Sequence, residues 1–160
     1  MNSELIRRCD RYISQQGIKE EDNIPSVMSK RPVMMEIDMS EVDLYLKYNR
    51  NISFNNRLFL LIDRTGQKDS DVYKKARIDR RLFSKIRSNK RYTPCKRTVI
   101  ALCLALELDR EETDMLLSSA GYSLCASNEY DLVVAFCIEN KVFDFFDVNE
   151  ILEHYGLKVF

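Results

Sequence analysis

The chain has 160 residues, 45% of them hydrophobic, so it is long enough to bury a core of its own. Its 4 Gly and 3 Pro exclude collagen-like, linker-like and wholly disordered chains and favour helices. The formal net charge of zero conceals a strong segregation, because residues 1–63 sum to −1, residues 64–98 to +10 and residues 99–160 to −9. The basic block suggests a surface for a polyanion, although exposed Lys and Arg equally often serve only solvation.

The first part of the chain, residues 1–52, is predicted to be a helical arm followed by a linker. Apolar residues at helical spacing predict a helix over 3–16 that stops at Gly17. The periodicity then fails between 18 and 38, with a short extended segment expected at 33–37. Ser40 and Asp43 resemble a capping box, which predicts a second helix from Ser40 to about Asn51.

Residues 53–121 are predicted to form one domain of five short helices. The predicted spans are Phe54–Gly66, Asp69–Ala76, Arg80–Ser88, Cys95–Leu108 and Arg110–Ala120. Val72 and Ala76 form the apolar pair of the second helix, and Pro94 is expected in the first turn of the strongly buried fourth helix. Gly121 ends the domain.

The helix over 80–88 has two distinct faces. Asp79 is expected to be its N-cap. At 100° per residue, Leu82, Phe83 and Ile86 fall on one side, and the opposite side collects polar and basic residues, namely Arg80, Arg81, Ser84, Arg87 and Ser88. The helix should therefore bury its aromatic residue and expose its arginines.

The acidic segment 122–160 is predicted to be a helical extension. Helices are expected over 127–140 and 147–155, the second capped by Asp147 with Glu150 three residues later. Phe143, Phe145 and Phe146 lie between them. They either fill the core of a small appended bundle or form a surface for a second copy or a protein partner.

The sequence carries little that suggests an enzyme, a metal site or a membrane protein. It lacks a Gly-rich phosphate loop, a His-Glu-x-x-His motif and a Gly-x-Ser-x-Gly motif, so we expect no catalysis and no cofactor. The five cysteines form no Cys-x-x-Cys pair, and His154 is the only histidine, so we expect reduced thiols and no metal. No apolar run reaches the roughly 18 residues of a membrane span, and the N-terminus lacks the apolar stretch of a secretory signal. We therefore expect a cytoplasmic location.

The five-helix pattern resembles the lambda-repressor/Cro-like (Xre-type) helix-turn-helix family of bacterial and phage regulators over residues 56–117. The run that carries the resemblance is DVYKKARIDRRLFSKIRSNK at 71–90, followed by Pro94 and by ALCLALEL at 101–108. The resemblance implies an all-α fold with a lambda-repressor-like core, and a homodimer that binds double-stranded DNA and regulates transcription. It places the third helix of the domain, residues 80–88, in the major groove.

The resemblance also assigns DNA-binding residues. Arg80, Arg81, Ser84 and Lys85 would lie nearest the bases, and Lys68 and Ser70 would hold a phosphate at the start of the preceding helix. Further phosphate attraction is expected from basic side chains around these helices, namely Lys74, Arg87, Lys90, Arg91 and Lys96.

Three positions depart from the family pattern. Tyr73 replaces a small residue and implies a wider or rotated helix pair, and Arg77 replaces a turn Gly, which favours a turn of another geometry. Asp69 would repel phosphate unless it serves as an N-cap. The alternative function is therefore an adaptor or inhibitor, or an RNA-binding protein, on a helix-turn-helix scaffold.

Overall fold

A computed structural model describes residues 3–16, 39–49 and 52–160. Within these ranges the chain forms nine helices and no strand: α1 Ser3–Gln16, α2 Met39–Asn49, α3 Phe54–Thr65, α4 Asp69–Lys75, α5 Arg80–Ser88, α6 Lys96–Ala105, α7 Arg110–Ser119, α8 Glu129–Glu139 and α9 Phe145–His154. The all-α prediction is therefore confirmed for these ranges. None of the helices is long and apolar enough to cross a membrane. The predicted stop at Gly17 and the linker over 18–38, with its extended segment at 33–37, lie outside the described residues.

Helix α6 forms the centre of the helical region that follows residue 52. All seven residues from Val99 to Ala105 are buried, as expected of a helix that is apolar on every side. Helices α4 and α7 pack against α6, while α5 contacts α4 and α3 contacts α7. Of the predicted helix-turn-helix pair, α4 thus packs directly on α6, and α5 packs on α4.

Helix α1 packs against α8 and α9, so the N-terminal arm contacts the C-terminal extension. Cys9 is fully buried there, and the ring of Tyr12 meets the ring of Phe136 edge-on with the centroids 5.7 Å apart. The Tyr155 hydroxyl donates a hydrogen bond to Asp10 Oδ1 at 2.6 Å. One hydrophobic core extends from Cys9 through α6 to Leu152.

The turn between α4 and α5 corrects one expectation. Arg77 takes the left-handed conformation, with φ 55°, that a turn Gly would have taken, so the expectation of another geometry was wrong. The Ile78 N–H donates to the Tyr73 carbonyl at 2.9 Å and closes the helix end. The half-buried Tyr73 ring packs on Phe83 of α5, with the centroids 5.7 Å apart.

The predicted starts of α2 and α6 are also wrong. Helix α2 begins at Met39, so Ser40 lies inside the helix and is not its N-cap. Pro94 precedes the N-cap Cys95 and does not occupy the first turn of α6. Helix α4, in contrast, begins at Asp69 as predicted, and Lys68 is its N-cap, so Asp69 does not serve as the cap.

The C-terminal helices start at other residues than predicted. Helix α8 begins at Glu129 behind the N-cap Asn128. Helix α9 is capped by Asp144, whose side chain accepts the Phe146 N–H at 2.7 Å, and not by Asp147. Phe145 and Phe146 therefore belong to the first turn of α9 and do not lie in a loop before it.

Candidate nucleic-acid interface

Helix α5 is fixed by its N-cap and by its apolar face. The Asp79 carboxylate accepts the Arg81 N–H at 2.7 Å, which confirms the predicted cap. Phe83 and Ile86 are buried. The side-chain amide of Asn55, in α3, donates a hydrogen bond to the Ile86 carbonyl. The opposite face presents Arg80, Arg81 and Ser84 to solvent, as the helical spacing predicts, and Lys85 is exposed as well.

Four cations of the 64–98 block are held by carboxylates inside the same chain. Lys75 pairs with Glu107 at 2.5 Å, and Lys96 pairs at 2.5 Å with Asp131, which is almost fully buried. Arg64 pairs with Glu112 of α7. Arg87 is joined to Asp69 at 2.5 Å, which offsets the acidic charge at the start of α4. The pair of Arg87 with Asp69 therefore joins α5 to α4, and the pair of Lys75 with Glu107 joins α4 to the residues after α6.

Other cations of the block lie over aromatic rings. Arg87 stacks on Phe59, with 4.2 Å between its guanidinium carbon and the ring centroid, so it is held from two sides. The Nζ atom of Lys85 lies 4.2 Å from the centroid of the Tyr92 ring, and the residue remains exposed. The local pattern does not predict these two ring contacts, because an aromatic residue beside a cation in space need not be near it in the chain.

Six exposed cations of the block have neither a carboxylate nor a ring partner in the described part of the chain: Lys68, Lys74, Arg80, Arg81, Lys90 and Arg91. Five of them flank the same helix pair, at the start of α4, at the start of α5 and in the loop after α5. Asn89 shapes that loop by accepting the Arg91 N–H at 3.0 Å.

The remaining predicted site residues have distinct positions. Ser70 lies in the first turn of α4 and its hydroxyl bonds to Asp71 at 3.2 Å. Lys74 lies near the other end of α4 and lines a groove beside α9. Lys96 is engaged with Asp131, which removes it from the set of available phosphate ligands. No group of three or more His, Cys, Asp or Glu within the described ranges could hold a metal ion.

Comparison with models of protein families, with curated proteins and with solved structures finds no match to this chain.

Proposed function

We propose that the chain is a DNA-binding transcription regulator in which α3–α7 form a lambda-repressor-like five-helix core and α5 enters the major groove. The observation that carries the proposal is the distribution of unpartnered cations. Within the described ranges, five of the six free cations of the basic block lie at the start of α4, on α5 and in the loop that follows, and the sixth, Lys74, lies near the end of α4. The other cations of the block are engaged by carboxylates or aromatic rings. A positive surface on a helix with exposed arginines suits a duplex.

The proposed roles follow from side-chain chemistry. Arg80 and Arg81, with Ser84 and Lys85, contact base edges, since a guanidinium can bond two acceptors of guanine. Lys68 and Ser70 hold a phosphate at the start of α4, and Lys90 and Arg91 hold phosphates from the loop. Arg87 is a positioning residue in this proposal, because Asp69 and Phe59 already hold it.

We further propose that two copies bind together. One module of this kind covers roughly 600 to 1,000 Å² of a duplex, which rarely gives tight binding alone. The apolar face of α1 is covered by α8 and α9 of the same chain, whereas Leu44 and Leu46 of α2 and Phe146 of α9 are exposed. Light scattering of the complex should give the mass of the selected duplex plus twice the 18.9 kDa of one chain. A mass of one chain per duplex would exclude the paired arrangement.

The test of DNA binding is selection from a random duplex library, followed by titration of the selected duplex. Arg80→Ala with Arg81→Ala should weaken specific binding by about 1 to 3 kcal/mol for each lost base contact. The matched control is Arg7→Ala with Arg11→Ala, which removes the same charge from exposed positions of α1. Equal affinities for the two double variants, or capture of RNA or an acidic protein through Arg80 and Arg81 instead, would replace the DNA proposal by the alternative function.

A further inference from the structure

A small cavity lies where the turn between α4 and α5 meets α6 and the segment that follows α9. Its volume is about 240 Å³. Arg77 of the turn and Arg97 of α6 line it, together with Thr98. The rest of its lining is apolar and consists of Ala76, Ile78, Ala101 and Phe160. None of the described residues that line the cavity has an acidic side chain, so the cavity has a basic part and an apolar part.

Each of the two guanidinium groups lies over an aromatic ring. The guanidinium carbon of Arg77 is 5.4 Å from the centroid of Phe145, and that of Arg97 is 5.5 Å from the centroid of Phe160. The two rings meet edge-on with their centroids 5.5 Å apart. Both cations are therefore held on one pair of packed rings.

The two rings are themselves fixed by the fold. Phe145 is buried in the first turn of α9. The Phe160 N–H donates to Asn149 Oδ1 at 2.8 Å, and the Asn149 side-chain amide donates to the Phe160 main-chain oxygen at 3.4 Å. The ring of Tyr130 packs against Phe160 as well, with the centroids 6.2 Å apart. The support for the two guanidinium groups is thus in place before any ligand arrives, which lowers the entropic cost of binding.

The charges of Arg77 and Arg97 are not balanced by an acid. In the part of the chain that the structure describes, neither guanidinium forms an ion pair. Arg77 also borders a neighbouring concavity that includes Glu107 and Asp144. Those two carboxylates are engaged elsewhere, Glu107 with Lys75 and Asp144 with the first turn of α9. The cavity therefore carries two uncompensated positive charges.

The two guanidinium groups also keep most of their hydrogen-bond donors. A ring face uses none of the five N–H donors of a guanidinium, and the Val159 carbonyl accepts from Arg97 only. Planar guanidinium groups bond pairs of phosphate oxygens better than any other side chain does. A phosphate monoester carries a charge of roughly −1.5 to −2 near neutral pH, which matches the charge of the two arginines.

We infer that this cavity binds a small organic phosphate. Arg77 and Arg97 bond the phosphate oxygens, and the organic group packs against the apolar part beside Ala101 and Phe160. The cavity is smaller than the roughly 300 to 1,000 Å³ of sites for drug-sized ligands, so the organic group has only a few carbon atoms. A phosphate of the DNA backbone would leave the apolar part unfilled. The inference goes beyond DNA binding, and its test needs no DNA.

The experiment titrates the full chain by calorimetry with three phosphate monoesters: glycerol phosphate, ribose phosphate and phenyl phosphate. Each is compared with its counterpart that lacks the phosphate and with inorganic phosphate. At least one monoester should bind more tightly than both references. The same monoester should raise the melting temperature, because a ligand that binds only the folded state stabilises it.

Substitutions at the cavity should lower the affinity for that monoester. Arg77→Gln and Arg97→Gln should each lower it by about tenfold or more, since each removes one charge and one planar set of donors. Arg77→Lys should recover part of the loss because it keeps the charge. The matched control is Arg11→Gln, which removes an exposed arginine of α1 and should leave the affinity unchanged.

A variant that keeps both arginines tests the apolar part. Ala101→Leu should abolish binding, because the larger side chain fills the cavity. Arg97 also holds the segment after α9, so Arg77→Gln and Ala101→Leu decide the question if Arg97→Gln does not fold. The melting temperature of each variant without ligand shows whether it is folded.

Three outcomes would overturn the inference. The first is that no monoester binds. The second is that inorganic phosphate binds as tightly as every monoester, which would indicate an anion site without an organic ligand. The third is that folded Arg77→Gln and Ala101→Leu bind the monoester as tightly as the parent chain, which would place its site elsewhere.

Discussion

Phe83 and Arg80 are three residues apart on α5 but lie in opposite environments. Phe83 is 3% exposed and packs against Phe59 and Tyr73, whereas Arg80 and Arg81 point to solvent. We predict that Phe83→Ala costs about 3 to 5 kcal/mol of unfolding free energy, because it leaves a cavity. Arg80→Ala with Arg81→Ala should change it by less than about 0.5 kcal/mol. Urea unfolding measures both, and a large loss in the arginine variant would contradict the assignment of the two faces.

The five thiols should differ sharply in reactivity. Burial raises the pKa of Cys103 and of Cys137 to about 12, and that of Cys9 to about 11. Hydrogen bonds from Thr98 and Ser127 lower the pKa of the exposed Cys95 and Cys125. Since the thiolate is the reactive form, a disulfide reagent at neutral pH should modify Cys95 and Cys125 rapidly.

The other three thiols should react only on unfolding, which a titration with and without denaturant measures. Cys95→Ser with Cys125→Ser is the control, and it should abolish the rapid phase. Rapid labelling of Cys103 or Cys137 in the native protein would contradict their burial.

The candidate site could be predicted from sequence only in part. The exposure of Arg80, Arg81 and Ser84 follows from helical spacing alone. The partners of the other cations do not, because Asp69 lies 18 residues before Arg87 and Asp131 lies 35 residues after Lys96. Which charges remain free depends on how distant helices pack, and no local pattern encodes that.

At the scale of helices, one type of C-terminus recurs. After α4, α6, α7, α8 and α9 a left-handed residue is followed by an apolar residue whose N–H bonds back to the last turn. The left-handed residues are Arg77, Glu107, Gly121, Lys141 and Gly156. The apolar contact after each of them ties the helix end to the core, which explains why a charged residue tolerates the strained conformation at three of these sites.

These caps give a paired prediction for stability. Lys141→Gly should stabilise the protein by up to about 1 kcal/mol, because glycine relieves the left-handed strain at φ 57°. Gly121→Ala should destabilise it by about 1 kcal/mol, and through the backbone alone, since a Cβ there meets nothing within 4 Å. Thermal unfolding of the two variants against the parent chain checks both signs. A stabilising Gly121→Ala would show that the cap is not strained.

The helices themselves were predictable where caps and spacing agree, as for α3 and α5. The predicted helix boundaries are wrong where two features of the sequence favour different residues. Asp144 and Asp147 are both good N-caps by residue type, and the burial of Phe145 decides for Asp144. The apolar run through Leu108 suggested a longer α6, but the left-handed Glu107 ends the helix at Ala105.

In the whole molecule, the contact of α1 with α8 and α9 contains three groups whose pKa is raised. Burial raises the pKa of Cys9 to about 11, and burial and bonds to Glu139 and Asp10 raise the pKa of Tyr12 and Tyr155. The folded state holds these protons more tightly than the unfolded chain, whose ordinary values are 9.0 for Cys and 10.0 for Tyr. The stability that they contribute is complete below about pH 9 and is lost as the pH rises through the folded values.

We therefore predict that the protein loses stability above about pH 9, and that the α1 contact contributes to the loss. A phenolate at Tyr12 or Tyr155 would no longer donate to its carboxylate and would repel it. The double variant Tyr12→Phe with Tyr155→Phe should be less stable than the parent chain at neutral pH, but its unfolding free energy should fall less steeply above about pH 9. Urea unfolding at a series of pH values measures both effects. Tyr92→Phe serves as the control, and an equally steep decline in the double variant would contradict this origin of the pH dependence.

The salt dependence of DNA binding tests how many cations of the basic block contact phosphates and how many stay engaged within the chain. If all thirteen cations of residues 64–98 met phosphates, log affinity would fall against log salt with a slope of roughly −12 per chain. The proposed interface places three of them on phosphates, namely Lys68, Lys90 and Arg91, so we predict a slope of about −3. Lys90→Ala should reduce the magnitude of the slope by about 1 and weaken binding to all DNA sequences equally. Arg7→Ala with Arg11→Ala should leave the slope unchanged. A slope near −1 would mean that the exposed cations are only solvated. A slope near −12 would mean that the ion pairs of Arg64, Lys75, Arg87 and Lys96 open when DNA binds, and that the other cations of the block reach phosphates as well.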